Sequence, residues 1–292
     1  LDDSPGGRSV EVVASADVDN DGDVDVFTAR PVQDPTIAEQ DFSELMLNDG
    51  SGVFQFGELD SHARSDYTTT TEARPTVPVG AALVDANRDG FVDLFISNNK
   101  RGDDSSPLQD RLFLGDGLGG FTDGTEDAGL TTNQWRDIED LNQGGGHSWG
   151  WGATSCDLDD DGLPELLSAA YGRSPNHLWR ATGVPGDVGF VNESVSSGYG
   201  YDHRDEWWTN ANAQCYCEDN PDAEDCDQAP EPDAQLCANL RASFGDNYRW
   251  SHSGDREAWR LGGNSATTTC ADFDNDGRFD LLTGEIVHSD VG

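Results

Sequence analysis

Positive charge is scarce in this chain. Against 57 Asp and Glu residues there are 17 Lys and Arg residues, which leaves a formal net charge of −40 at pH 7. Such a surface repels phosphates, so the sequence predicts no nucleic-acid partner. Long apolar runs are also absent, and no transmembrane segment is predicted. The folded chain instead needs counter-charge, from bound cations, a cationic partner or a salty medium.

Catalytic signatures are missing as well. The sequence holds no His-Glu-x-x-His and no phosphate-binding glycine loop. Nothing selects a glycosidase carboxylate pair among the 57 acids. The histidines are scattered, and a metal site of His203 and His252 with Asp202 or Asp205 is one alternative. We therefore expect no catalytic residues and no enzyme, although an enzyme built on the predicted fold is a further alternative.

Four aspartate-rich stretches carry the chemistry that is present. Each places oxygen-bearing side chains at positions 1, 3, 5 and 9, with glycine at position 6. In a tight loop these side chains converge on one point, and the carbonyl at position 7 can face inward. The pattern predicts an all-oxygen site of about 6–7 ligands for Ca²⁺, hence about four calcium ions per chain. The predicted ligands are Asp17, Asp19, Asp21, Asp23 and Asp25; Asp85, Asn87, Asp89, Phe91 and Asp93; Asp157, Asp159, Asp161, Leu163 and Glu165; and Asp272, Asp274, Asp276, Arg278 and Asp280.

The sequence around these stretches disfavours an EF-hand. An EF-hand needs a bidentate Glu at loop position 12 and a helix on each side. Position 12 is instead Thr28, Ile96, Ser168 and Thr283, and the flanks are short, apolar and β-prone. Each unit therefore reads as strand, loop, strand. The alternative for a single stretch is a solvated acidic turn, and four copies of one ligand pattern disfavour it.

A second feature recurs after the loops. Apolar runs at 45–47 and 112–114 lead into glycine turns and then an aromatic residue, and 178–190 is a degenerate third copy. This pattern predicts a β-hairpin, so each repeat would hold four antiparallel strands. Four such strands in a repeat of roughly 70 residues are typical of a propeller blade.

The predicted fold is therefore all-β. It is a β-propeller over residues 1–292, with four-stranded antiparallel blades and a calcium loop between the first two strands of each. Approximate blade bounds are 8–60, 79–128, 148–198 and 263–292, and 199–262 is a Cys- and Trp-rich insertion between the third and fourth blades. The fourth copy stops after its second strand, so about 3.5 blades of an incomplete ring are expected, with more chain or a partner completing it.

The loops, the Leu-x-Leu-x-Asp-Gly-x-Gly-x-Phe hairpin and the run 121–130 together resemble FG-GAP/VCBS repeats. Such repeats occur in integrin α-subunit propellers, in secreted bacterial proteins and in the ASPIC/UnbV (cartilage acidic protein) group. The resemblance covers nearly the whole chain except about 199–262. It implies a calcium-binding propeller with an extracellular, non-enzymatic and often adhesive role. Asn87 and Glu165 depart from the repeat pattern, although both still offer an oxygen.

The cysteines indicate an oxidising compartment. Cys215, Cys217, Cys226 and Cys237 crowd into an acidic segment with little apolar content, which favours disulfides over a zinc site. Cys215 and Cys217 are too close to bond each other, so each is expected to reach Cys226 or Cys237. Cys156 and Cys270 are either free thiols or an inter-blade pair.

Strand direction sorts the loops onto two faces. All four calcium loops share one face, and the longer links lie on the other. Tryptophans concentrate in those links, and we expect Trp135, Trp207, Trp208 and Trp250 to form a ligand surface; the alternative is that they pack the links down as a local core. The tripeptide Arg101-Gly102-Asp103 matches an integrin-ligand motif but also arises by chance.

These patterns favour an exported, bacterial-like protein, extracellular or at the cell surface. It would act as a calcium-stabilised binding or adhesion module for a protein or glycan. The alternative is a structural subunit that assembles with other copies in an extracellular filament or surface assembly.

Overall fold

The computed structural model describes residues 12–29, 43–57, 63, 77–99, 106–171, 174–187, 189–202, 205–261 and 265–285. These residues form four antiparallel sheets, three of four strands and one of two. Sheet 1 holds β1 (Val12–Ala16), β2 (Asp25–Ala29), β3 (Glu44–Asn48) and β4 (Phe54–Phe56). Sheet 2 holds β5 (Pro78–Val84), β6 (Asp93–Asn98), β7 (Arg111–Gly115) and β8 (Phe121–Asp123). Sheet 3 holds β9 (Gly150–Cys156), β10 (Glu165–Ala170), β11 (His177–Ala181) and β12 (Phe190–Asn192), and sheet 4 holds β13 (Ser265–Ala271) and β14 (Asp280–Glu285).

Within every sheet the strands pair with their neighbours in chain order. The mostly β architecture is thereby confirmed, with the predicted four-stranded antiparallel unit present three times. Because successive strands run in opposite directions, the loop between the first and second strands lies at the same end as the turn between the third and fourth.

The second strand of each middle sheet is buried on both faces, which explains its continuous apolar sequence. Neighbouring residues of a strand point to opposite faces. Leu94 and Ile96 therefore join the core between sheets 1 and 2, whereas Phe95 joins the core between sheets 2 and 3. In β10, Leu166 faces sheet 2 and Leu167 faces sheet 4. The sheets are thus stacked in chain order, with an apolar layer between each pair.

The first strands β5, β9 and β13 approach one another closely, and glycine makes this possible. A Cβ added to Gly80 would lie 2.3 Å from the Ala153 nitrogen, and one added to Gly152 would lie 2.9 Å from the Ala266 oxygen. Both distances are too short for any side chain, so these positions require glycine. The first strands therefore form the narrow side of the stack.

A disulfide joins two of these first strands. Cys156 at the end of β9 bonds Cys270 near the end of β13, across a sequence separation of 114 residues. The sequence left these two cysteines undecided, and the structure assigns them to a link between sheets 3 and 4.

Residues 205–261 fold as a small helical unit that the sequence did not predict. It contains α2 (Ala211–Asp219), α3 (Ala234–Phe244) and α4 (Ala258–Leu261), while α1 (Ile138–Asn142) lies in the link between sheets 2 and 3. Asn210 and Asp233 cap α2 and α3, because their side-chain oxygens accept backbone N–H groups of the first turn.

Two disulfides hold this unit together. They pair Cys215 with Cys237 and Cys217 with Cys226, which confirms the disulfides predicted for these four residues. The zinc alternative does not hold, since both sulfurs of each pair are bonded to one another. Across the described part of the chain, no helix has the length and apolar character that a membrane span requires.

Candidate metal centres

The four aspartate-rich loops connect the first and second strands of the four sheets. They join β1 to β2, β5 to β6, β9 to β10 and β13 to β14. All four share one backbone conformation. Position 4 has positive φ, at 59° for Asn20, 56° for Arg88, 60° for Asp160 and 60° for Asn275. The glycine at position 6 also has positive φ, between 83° and 94°. Glycine is needed there because a side chain strains this conformation.

A repeated set of hydrogen bonds turns the carboxylates inward. The glycine N–H donates to the carboxylate at position 1 at 2.9–3.1 Å in every loop. The N–H at position 5 donates to the side-chain oxygen at position 3 at 2.9–3.3 Å. The N–H at position 7 donates to the carboxylate at position 5 at 2.7–2.9 Å. These contacts use one oxygen or lone pair of each side chain and leave others directed towards the loop centre.

The acidic residue at position 9 has a second task that the sequence did not reveal. Its carboxylate accepts the N–H of position 2 in all four loops, at 2.7–2.9 Å. In sheets 1, 2 and 3 the other oxygen accepts an N–H from the last residue of the third strand, with donors Asn48, Gly115 and Ala181. Asp25 and Asp93 are 0 % exposed, and Glu165 is 2 % exposed. Position 9 therefore anchors the loop to the sheet.

The carboxylates converge closely enough to hold a cation. One oxygen each of Asp17, Asp19 and Asp25 lie within 4.8 Å of one another, and the same holds for Asp157, Asp159 and Glu165 and for Asp272, Asp274 and Asp276. In the second loop Asn87 replaces one carboxylate of the set. Oxygen ligands alone suit a hard cation.

Two oxygens in these clusters have no partner. Oδ1 of Asp17 and Oδ1 of Asp157 are buried and accept no hydrogen bond. A buried carboxylate oxygen without a partner is costly, and a cation at the loop centre would satisfy it. These two oxygens are the most direct structural indication that the loops fit a metal ion.

Electrostatics give the same indication. Burial raises the pKa of Asp93 to about 6, although N–H groups of Gly115 and Ala86 oppose the shift. Burial also raises the pKa of Asp19 and of Glu165, and neighbouring carboxylates of the same loop add to both shifts. Negative charge is thus disfavoured on these three side chains, and a divalent cation would relieve the repulsion between neighbouring carboxylates.

The alternative metal site at His252 is not supported. His252 Nε2 donates to the Glu224 carbonyl oxygen at 2.6 Å, and its Nδ1 accepts from Trp250 Nε1 at 3.1 Å. Both ring nitrogens are therefore occupied within the helical unit. His203 and the tripeptide Arg101-Gly102-Asp103 lie outside the described residues.

The structure corrects part of the predicted tryptophan surface. Trp207 and Trp250 are each 5 % exposed and stack on one another at 6.3 Å between ring centroids, inside the core of the helical unit. They bury their rings because this unit has few other apolar side chains, so they offer no surface. Trp208 and Trp135 are half-buried. The sequence missed Trp151, which is 41 % exposed at the start of β9.

A buried Ser148, His177 and Asp110 cluster has the composition of a hydrolase triad but not its arrangement. Ser148 Oγ donates to the Pro175 carbonyl oxygen at 2.6 Å and lies 3.0 Å from His177 Nε2. The serine hydroxyl thus has a carbonyl acceptor that competes with the histidine, and Asp110 Oδ2 lies 3.9 Å from His177 Nδ1, too far for the hydrogen bond that orients a triad histidine. All three residues are at most 6 % exposed, which denies a substrate access. The cluster is a polar contact between sheets 2 and 3.

This contact predicts a specific pH dependence. Burial raises the pKa of Asp110 to about 7 and lowers that of His177 to about 4. The folded chain therefore holds a proton on Asp110 that the unfolded chain loses above about pH 4, so this carboxyl makes the fold less stable as pH rises from about 4 to 7. Asp110→Asn keeps an oxygen for the Asn98 N–H, a 2.8 Å contact, and does not titrate. The measured quantity is the melting temperature of Asp110→Asn minus that of wild type, in constant excess calcium. We expect this difference to increase by several degrees between pH 4 and 7 and to stay level above pH 7.

The matched control is Asp222→Asn, since Asp222 is exposed. The difference between its melting temperature and that of wild type should be the same at every pH. A difference for Asp110→Asn that does not change with pH would contradict the role given to this carboxyl.

Comparison with known proteins found no relative of this chain. No protein-family model matches the sequence, and no curated protein matches it. The resemblance to FG-GAP/VCBS repeats thus stays a prediction.

Proposed function

We propose that the protein is a calcium-stabilised β-propeller segment that acts outside the cell as a binding module. The observation that carries the proposal is the fourfold repetition of one loop conformation at one position in every sheet. Acidic turns that arose by chance would not form the same hydrogen bonds in four sheets. Nor would they leave a buried oxygen of the first aspartate without a hydrogen-bond partner in two of the loops.

The propeller interpretation rests on how the sheets stack. Sheets 1 to 4 follow chain order, each packs against the next, and the first strands lie on the narrow side of the stack. Blades arranged around an axis have this geometry, with the first strand of each blade nearest the axis. A chain that binds through loops on such a scaffold needs no catalytic machinery of its own.

Calcium is the proposed cation, at about four ions per chain. The donors are carboxylates with one amide, and Ca²⁺ accepts 6–8 oxygen ligands in flexible geometry. Three disulfides fit an oxidising compartment, where calcium is also plentiful.

Calcium titration by calorimetry, with native mass spectrometry, tests the metal sites. Wild type is expected to bind about four Ca²⁺ per chain. Asp157→Ala combined with Asp159→Ala removes two ligands of the third loop and should lower the count by one. Asp160→Asn is the matched control, because position 4 is Asn in the first and fourth loops and has the backbone conformation that Asn tolerates. The proposal fails if wild type binds no Ca²⁺, or if the double variant binds as much as the control.

A subunit of an extracellular assembly is a second candidate, favoured by the outer strand of sheet 1. Phe54 and Phe56 on β4 are 38 % and 45 % exposed. Exposed aromatic residues on an edge strand favour self-association. Light scattering recorded during the same calcium titration separates the two functions, since growth into ordered polymers would favour assembly and a constant particle size would favour the binding module.

A further inference from the structure

A patch of aromatic rings lies on sheet 3, at the end opposite its metal loop. Trp151 is the second residue of β9 and Trp149 directly precedes that strand, while Tyr171 follows β10 and Trp135 lies in the link before β9. The ring centroids of Trp151 and Tyr171 are 4.9 Å apart, and those of Trp135 and Trp149 are 5.8 Å apart. We call these four residues the aromatic patch.

We propose that the aromatic patch binds an uncharged polysaccharide through stacking of sugar rings on Trp151. The inference rests on the proposed binding function and names its ligand class. The face of an indole ring is apolar and is the negative side of the ring quadrupole. Both properties suit contact with the C–H groups on the face of a sugar ring. Trp151 is 41 % exposed at this end of the sheet, so a sugar ring can reach it.

The surroundings favour a sugar over a protein partner. A protein interface is centred on aromatic anchors packed among other buried contacts. At this end of sheet 3 no aliphatic side chain is among the exposed large hydrophobic residues that the structure describes. Polar groups stand there instead: the side-chain amide of Asn99 donates to the Gly150 carbonyl oxygen at 2.6 Å, directly beside Trp151, and Asn133 and Gln134 are exposed next to Trp135. Amides next to aromatic rings can exchange hydrogen bonds with sugar hydroxyls.

The overall charge restricts the kind of polysaccharide. With a formal net charge of −40, the protein repels uronates and sulfated glycans. An uncharged chain bears no such penalty and still offers ring faces and hydroxyl groups.

Affinity electrophoresis tests the proposal. The calcium-loaded protein is run in native gels containing hydroxyethylcellulose, xylan, laminarin or galactomannan, with a gel lacking polysaccharide as reference. We expect at least one polymer to retard wild type, Trp151→Ala to lose at least tenfold in affinity for it, and Trp151→Phe to retain part of the retardation. Phe244→Ala is the matched control, because Phe244 is 37 % exposed but lies on α3 of the helical unit, and it should be retarded like wild type.

Calcium binding and thermal melting of each variant are measured in parallel. If none of the four polymers retards wild type while calcium still binds, the glycan proposal is overturned and the calcium scaffold stands. Equal retardation of Trp151→Ala and wild type also overturns it. A third outcome would also overturn the glycan proposal: no polymer retards wild type, and immobilised cytochrome c retains wild type but not Trp151→Ala. The ligand of the aromatic patch would then be a cationic protein.

Discussion

Removing calcium is expected to lower the melting temperature of the protein by about 5–10 °C. The free energy behind this shift is a sum over the loops. With a dissociation constant of about 0.1–1 mM, typical of extracellular sites, each ion contributes about 0.7–1.8 kcal/mol at about 2 mM Ca²⁺. Four loops then contribute about 3–7 kcal/mol, a large part of the stability of an ordinary domain.

The measurement is differential scanning calorimetry in 2 mM calcium and again with excess EGTA. Magnesium at the same concentration should restore little of the loss, because it requires a tighter octahedral shell and retains its water. A melting temperature unaffected by EGTA would remove the structural role of the cation, whatever the affinity measured by titration.

The second large effect is expected from Asp93→Ala in the second loop. The carboxylate of Asp93 accepts the Ala86 N–H and the Gly115 N–H, both at 2.9 Å, and is 0 % exposed. Truncation leaves two N–H groups without their acceptor, which should cost about 2–5 kcal/mol even when calcium is absent. In the presence of calcium, the loss of one ion adds to this cost.

The matched control is Asp89→Ala in the same loop. Asp89 is exposed, so its removal should lower stability in calcium and change it by less than about 1 kcal/mol in EGTA. Urea unfolding of both variants with and without calcium gives the four values required. If Asp93→Ala were no more destabilising than Asp89→Ala in EGTA, position 9 would be a metal ligand only, without the anchoring role described above.

Much of the β architecture could be predicted because its causes are local. The spacing of the aspartates specifies the loops, and the glycine turns specify the hairpins. The anchoring task of Asp93 was hidden, since it depends on Gly115, which the fold alone brings close. The bond between Cys156 and Cys270 stayed one of two alternatives for the same reason: it requires the first strands of sheets 3 and 4 to be neighbours.

The helical unit was missed although its sequence carries helix signals. Asn210 and Asp233 stand at N-cap positions, and residues 234–244 are rich in good helix formers. The acidic and Pro-containing character of the segment obscured them. The concentration of tryptophans in the long links favoured a surface for Trp207 and Trp250, whereas these rings and two disulfides form the local core that was the alternative.

The long-range disulfide has a consequence for the integrity of the chain. Residues 157–269 all lie between Cys156 and Cys270, and the helical unit is among them. If a protease cuts a loop of that unit, the pieces before and after the cut remain covalently joined through β9 and β13. A protease can therefore cut the helical unit without separating the third metal loop from the fourth, because the disulfide keeps both in one covalent molecule.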